Sequence, residues 1–313
     1  MGDDLIPTAD DISAARARIE GLVHRTPVMR SRRLDAWAGA DLYLKCEHLQ
    51  GSGAFKLRGA TNAVMSLTDA DAARGVAAHS SGNHAGALSL AAARRSIECT
   101  VVMPSDTAAT KLAAVEGYGG RVVLCEPTLA AREAGLAAVL AATGATEIHP
   151  YDHPNVIAGA ATAVAELLEE IDDLDAVVVP VGGGGLASGT CIAAHAVDPA
   201  LRIVGAEPAG ADDAARSLAA GRLILQTDPR TIADGLRTGL SERTFGILSR
   251  QLDSIQTVSD DDTVEAMRLV WSAAKQIVEP SGAVSLAATR HVDARRIGVI
   301  VSGGNVDIDN LPW

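Results

Sequence analysis

Aromatic side chains are scarce, with two Phe, three Tyr and three Trp among 313 residues. That excludes a core of stacked rings and leaves Ala, Val, Leu and Ile to supply most of the 48% hydrophobic content. A core of this kind suits helices packed on buried strands, and it is large enough for one large domain or two smaller ones. Positive charge is also short. Lys and Arg number 27 against 39 Asp and Glu, a net charge of -12, so no basic face is available for nucleic acid or an anionic membrane. Small molecules are the expected ligands.

Other absences narrow the field further. No apolar run reaches membrane-spanning length without a charge or a turn. The four cysteines, Cys46, Cys99, Cys125 and Cys191, form no C-x-x-C pair, which points to free thiols in a reducing compartment. Asp3 and Asp4 stand where a secretory leader carries basic residues, and Ile6 stands where a myristoylation signal needs Ser or Thr. A cytoplasmic protein is expected. Internal repeats, low-complexity segments and long linkers are lacking.

What is present is an ordered alternation. Thr8 with Asp11 resembles a capping box, and Ile12, Ile19, Leu22 and Val23 share one helical face, which predicts an opening amphipathic helix. A short strand at 42–46 follows. Strands are then predicted at 75–79, 99–103, 121–125 and 146–149, with helices at 85–95 and 129–142 between them. Gly119, Gly120 and Gly144 fall at helix ends. The pattern continues with a helix at 156–171, strands at 176–179 and 201–205, and a last strand at 297–301. Repeated strand and helix units imply an α/β fold of two lobes, each a mainly parallel sheet flanked by helices, with ligands at the C-terminal ends of strands. The smaller, mobile lobe is expected at 68–150, and the larger one at 1–67 and 151–313.

Five stretches carry chemistry. Gly51-Ser52-Gly53-Ala54-Phe55-Lys56 sets one lysine among small residues beside a phenylalanine. An amine held against apolar groups is available as a nucleophile or base and can form a Schiff base; a Gly-rich turn with an exposed lysine is the plainer alternative. Val181 runs into Gly182, Gly183, Gly184, Gly185 and Leu186 at a helix start, an arrangement that cradles phosphate on free N–H groups. The same residues fit a G-x-G-x-x-A dinucleotide pattern, with Glu207 placed as a ribose-binding acid. Ser80, Ser81, Gly82, Asn83 and His84 end a strand and open a helix, so they could gather a carboxylate or simply cap the helix. Ser302 in Ser302-Gly303-Gly304-Asn305 could meet a ring nitrogen or cap a turn. Lastly, Glu207, the carbonyl of Ala211, and Asp213 could hold a hard cation such as Mg2+ or Ca2+ or form an acidic surface turn.

Taken together, the stretch 53–60, Ser80-Ser81-Gly82-Asn83-His84, Gly182 to Leu186 and Ser302-Gly303-Gly304-Asn305 resemble fold-type II pyridoxal phosphate enzymes, the tryptophan synthase β-like architecture. Within these the chain looks like the serine/threonine dehydratase and serine racemase family, over nearly its whole length. The dinucleotide reading leaves three of the four stretches without a role.

The resemblance implies that Lys56 binds pyridoxal 5'-phosphate covalently and takes the α-proton of an amino acid substrate, with Phe55 packed against the ring. Gly182 to Gly185 and Leu186 would hold the phosphate, Asn83 the ring hydroxyl, and Ser302 would face the pyridine nitrogen. Ser80, Ser81, Gly82, Asn83 and His84 would bind the substrate carboxylate. The implied reaction is removal of water and ammonia from L-serine, L-threonine or 3-hydroxyaspartate to leave a 2-oxo acid. Ser81 matches the second proton carrier of serine racemases, so racemisation, alone or beside elimination, is the alternative; a dinucleotide-dependent oxidoreductase ranks last.

Glu207, Ala211 and Asp213 match that family's cation site, and Arg132 matches an arginine near the substrate, able to engage a second carboxylate or else to lie on a helix surface. A homodimer is implied. Two departures bear on substrate choice: Ala85-Gly86 where the family usually has glutamine, and Ala160-Ala161 in place of a common Gln-Gly. With the last residue Trp313 soon after the Ser302 loop, no C-terminal regulatory domain is expected.

Overall fold

The computed structural model describes residues 6–313; Asp3 and Asp4 lie outside the described residues. Ten strands build two sheets: β1 (Val28–Met29), β2 (Asp41–Cys46), β3 (Val76–His79), β4 (Cys99–Pro104), β5 (Arg121–Cys125), β6 (Thr146–Glu147), β7 (Ala176–Pro180), β8 (Arg202–Pro208), β9 (Ser254–Val258) and β10 (Arg296–Val301). The larger sheet has the order β1-β2-β10-β7-β8-β9, and the smaller β5-β4-β3-β6. Among the described strands only β1 runs antiparallel, against β2; the other strand pairings are parallel. The α/β expectation holds.

In the larger sheet the strand order reverses between β10 and β7. Connections from β7 run outward to β8, while β2 lies on the far side of β10. A crevice opens outside the C-terminal ends of strands at such a point. Gly182 follows β7 and Ser302 follows β10, so the topology alone brings those two loops to one place.

The strands are buried because their residues are apolar on both faces: Val177, Val178, Val179, Ile297, Val299 and Ile300 are all at 0% exposure. One face packs against Leu34, Met267, Val284 and Leu286, the other against Val164, Leu167, Ala187 and Ala194. The smaller sheet shares a separate core of Val76, Val101 and Met103 with Leu57, Val64 and Leu88. Helices Lys56–Met65 and Pro154–Glu170 approach closely. A Cβ on Gly59 would stand 2.6 Å from the carbonyl oxygen of Val156, and one on Gly159 as close to that of Arg58, so only glycine allows this contact.

Some boundaries differ from expectation. The first helix, Ala9–Ile19, has the Thr8 capping box but stops before Leu22 and Val23, because Gly21 turns the chain at φ +72°. Gly144 caps Leu129–Thr143 in the left-handed conformation. The strand expected at 146–149 spans only Thr146–Glu147, since Ile148 is the last residue whose N–H reaches the neighbouring strand, at Ala77. No helix is long and apolar enough to cross a membrane, among the described residues.

Candidate active site

Lys56 is the first residue of helix Lys56–Met65. Its Nζ donates to the carbonyl of Pro150 at 2.8 Å and stands 5.1 Å from the centre of the Phe55 ring. The stem is half-buried, and desolvation of the amine pulls it down to about 8. Among the described residues no carboxylate pairs with it, so the neutral amine is accessible near physiological pH.

The loop carrying Lys56 is bolted to the end of β10. Phe55 N–H donates to the carbonyl of Ser302 at 3.0 Å, and Gly304 N–H to that of Gly53 at 2.9 Å. Gly53 adopts φ +75° with Asn305 packed where a side chain would project. Ser302 is buried at 4% exposure, and its hydroxyl donates to the carbonyl of Ser281 at 3.3 Å. A neutral hydroxyl therefore stands in the crevice.

The glycine loop packs on Tyr151, the residue after the Pro150 whose carbonyl Lys56 meets. Gly184 adopts φ +84° as the cap of helix Gly185–Val197. A Cβ on Gly183 would enter the Tyr151 ring at 2.3 Å, and one on Gly184 would meet Leu240 at 2.7 Å, which accounts for the glycines at these positions. Among the described residues, none of the N–H groups of Gly182, Gly183 and Gly184 finds a backbone or side-chain acceptor. With the free amides of Gly185 and Leu186 at the helix start, this is a row of unpaired donors fitted to an anionic oxygen cluster. Unpaired buried amides are costly without a partner. A phosphate supplies one, so these residues fit a phosphorylated cofactor beside the Lys56 amine.

Ser80, Ser81, Gly82, Asn83 and His84 form the turn from β3 into helix Asn83–Arg95. Gly82 N–H donates to the Ser80 hydroxyl at 3.3 Å, whereas the Ser81 hydroxyl makes no hydrogen bond among the described residues. His84 turns inward: its Nε2 meets the Ile148 carbonyl at 2.8 Å, and burial, reinforced by Lys56, pulls the ring down to about 3. It presents a backbone N–H to the turn and keeps a neutral ring inside. At Gly86, one of the departures, a Cβ would meet the Tyr118 ring at 3.7 Å, an ordinary contact.

Arg132 sits in the first turns of Leu129–Thr143, at the C-terminal edge of the smaller sheet. Among the described residues its Nε is buried without a partner, as is Nδ1 of His79, and the two stand close enough that Arg132, after burial, holds His79 below its ordinary value. A guanidinium with an unpaired buried N–H awaits an acceptor.

Glu207 and Asp213 are buried at 0% and 1% exposure. Glu207 accepts from the N–H groups of Ala214 and Ala215 at 3.1 and 2.8 Å, which turns it away from a ribose-binding role. Burial pushes it up to about 8, Asp213 and Asp212 adding to the push while the amides oppose it. Burial also raises Asp213. Ala211 closes the turn between them. No group of three His, Cys, Asp or Glu gathers for a metal among the described residues, so a cation here would rest on two carboxylates and a carbonyl.

Several residues near the site had no sequence signal. Arg58, at 0% exposure, joins Glu47 through Nε at 2.7 Å and Glu166 through Nη1 and Nη2 at 2.8 and 2.7 Å. Lys45 completes the cluster at 2.6 Å from Glu166. Glu279, buried beside Asn83, was likewise silent; Pro280 at a helix start was the one cue to its neighbourhood.

A family model for pyridoxal-phosphate dependent enzymes matches residues 19–303. The chain is 49% identical to a beta-hydroxyaspartate dehydratase of Paracoccus denitrificans, covering 98% of this chain and 99% of that one. It is 42% identical to an L-threo-3-hydroxyaspartate ammonia-lyase of Saccharomyces cerevisiae, covering 97% and 95%. The solved structure of maize serine racemase superposes with a TM-score of 0.95 at 43% identity, covering 97% and 95%.

Proposed function

The chain belongs to the pyridoxal-phosphate dependent enzymes, and from that premise we propose that it is an ammonia-lyase for hydroxy amino acids, with 3-hydroxyaspartate preferred over L-serine and L-threonine. The carrying observation is Lys56: a desolvated amine without a carboxylate partner, next to a row of unpaired amides. When bound, pyridoxal 5'-phosphate withdraws electrons from the substrate α-carbon and so acidifies its proton.

In this reading Lys56 holds the cofactor and later, as a free amine, accepts the α-proton. Phe55 packs against the ring. Gly182, Gly183, Gly184, Gly185 and Leu186 would hold the phosphate oxygens, Asn83 would donate to the ring hydroxyl, and Ser302 would meet the ring nitrogen. Ser80, Ser81, Gly82, Asn83 and the His84 N–H receive the substrate carboxylate at the helix start. Loss of the proton and the β-hydroxyl releases an enamine, and its hydrolysis gives a 2-oxo acid and ammonia. Ser302 would offer the ring nitrogen a neutral hydroxyl in place of an acid, which would favour loss of the β-hydroxyl promptly after the α-proton.

Arg132 supports the diacid preference, because its unpaired Nε suits the second carboxylate of 3-hydroxyaspartate. Both hydroxyaspartate-cleaving relatives agree with this choice. Racemisation is the second reading, favoured by the unengaged Ser81 hydroxyl and by the likeness to serine racemase.

The proposal extends to Mg2+ or Ca2+ at Glu207, Ala211 and Asp213, where a cation would relieve two mutually repelling buried carboxyls. It also takes 68–150 as a lobe closing on 1–67 and 151–313, supported by the separate smaller sheet and by the ion pair of Lys111 with Asp234. A cytoplasmic homodimer completes it. Incubation with each substrate, followed by 2-oxo acid detection and chiral analysis of remaining serine, tests elimination against racemisation.

A further inference from the structure

Asn83 opens its helix with both ends of its amide already engaged by residues far away in the chain. Nδ2 donates to Oε1 of Glu279 at 2.6 Å. Oδ1 accepts from Nδ2 of Asn305 at 2.9 Å, and that nitrogen also donates to the carbonyl of Ser52 at 2.8 Å. Turning the Asn83 amide over would set oxygen against carboxyl oxygen and NH2 against NH2. One orientation is therefore fixed, and in it one N–H of Nδ2 has no acceptor among the described residues.

Glu279 is itself held in place. Its backbone N–H donates to the carbonyl of Gly303 at 3.1 Å, and its Oε1 lies 2.1 Å from where a Cβ on Gly303 would stand. Any other residue at 303 would push the carboxyl off Asn83. At 2% exposure the carboxyl is shut from solvent, and none of the steps assigned above uses it.

We infer that Glu279, with Asn305 as brace, is a positioning residue that aims the free N–H of Asn83 into the cofactor site. The inference rests on the reading that Asn83 contacts the ring hydroxyl, and adds to it the residues that hold Asn83. Asn83 comes from the 68–150 segment and its two holders from the remainder, so the amide is aimed only while the two sheets keep this relation. Glu279 also gives the contact a pH response. Burial pushes its carboxyl up to about 7; Asp234 from the turn Asp234–Leu236 adds to this, while the Asn83 N–H and Lys111 from helix Ala109–Gly117 oppose it. An ionised carboxyl binds the Asn83 N–H more tightly than a neutral one.

The test is a mutant cycle on the holoprotein, using Asn83→Ala, Glu279→Ala, Glu279→Gln and the double alanine variant. The readouts are the visible band of the bound cofactor and the dissociation constant of pyridoxal 5'-phosphate. Asn83→Ala and Glu279→Ala should each weaken binding about tenfold and shift the band alike, and the double variant should lose no more than either. Glu279→Gln, which still accepts, should stay within about twofold, but its band should lose the wild-type response between about pH 6 and 8.

If Asn83→Ala changes both readouts while Glu279→Ala changes neither, or if the two effects add, the inference is overturned. If Asn83→Ala changes nothing, the reading beneath it fails as well. Should Glu279→Ala not fold, the glutamine variant decides alone, and a pH response unchanged from wild type overturns the inference.

Discussion

Lys56 Nζ donates to the carbonyl of Pro150 at 2.8 Å, and among the described residues no carboxylate accompanies that contact, so desolvation sets the charge of the amine. A lysine held at about 8 when folded, against about 10.4 unfolded, leaves the unfolded chain with more bound protons between those values. Stability of the cofactor-free protein should therefore rise with pH across that window. Melting temperatures of wild type and Lys56→Met, compared between about pH 7.5 and 10, check this: the rise should shrink in the variant. An identical pH dependence in both would show that the amine is solvated.

The buried cluster of Lys45, Glu47, Arg58 and Glu166 ties β2 to the helices that carry Lys56 and follow Pro150. Removing one partner strands the others in low dielectric. Arg58→Met leaves Glu166 to Lys45 and Glu47 to the Thr26 hydroxyl and should cost about 3–5 kcal/mol, more than Lys45→Met, because Arg58 serves both acids. Denaturant unfolding of the two variants measures the order. Equal or negligible losses would contradict the account of Arg58 as the hub.

Little of this arrangement could be read from the chain alone, and the reasons are physical. The apolar strands β3, β4, β7 and β10 and the glycine loops announce themselves because burial and tight turns leave local patterns. β1 is two residues long, and β9, Ser-Ile-Gln-Thr-Val at the sheet edge, is half-exposed and mixed in polarity, so neither carries a period. Lys45 meets Glu166 across 121 residues and Asn83 meets Glu279 across 196. Such pairings leave no trace in local spacing. Lys56 and Ser302 were legible for the opposite reason, since each sits inside its own short glycine motif.

Glu207, raised to about 8, binds more protons folded than unfolded between about pH 4.5 and 8, so this pair lowers stability progressively as pH rises through that range. A divalent cation competes with the proton. Added Mg2+ or Ca2+ should raise the melting temperature more at pH 8 than at pH 6, and the effect should vanish in Glu207→Gln. A shift of equal size at both values, or one that survives in the variant, would place cation binding elsewhere.

Arg132→Ala removes the charge proposed to meet the second carboxylate. Its kcat/KM for 3-hydroxyaspartate should fall about a hundredfold, while that for L-serine, which has no such group, should change little. Steady-state rates on both substrates check this. Equal losses on both would return Arg132 to a structural role on the helix.

The central claim concerns Lys56 itself, and the absorbance of the protein supplied with pyridoxal 5'-phosphate, read before and after addition of 3-hydroxyaspartate, tests it most directly. The account expects a visible band from lysine-bound cofactor that is missing in Lys56→Ala, together with release of a 2-oxo acid and ammonia by the wild type only. A band of unchanged position and strength in Lys56→Ala, or oxo acid released at the wild-type rate by that variant, would contradict it.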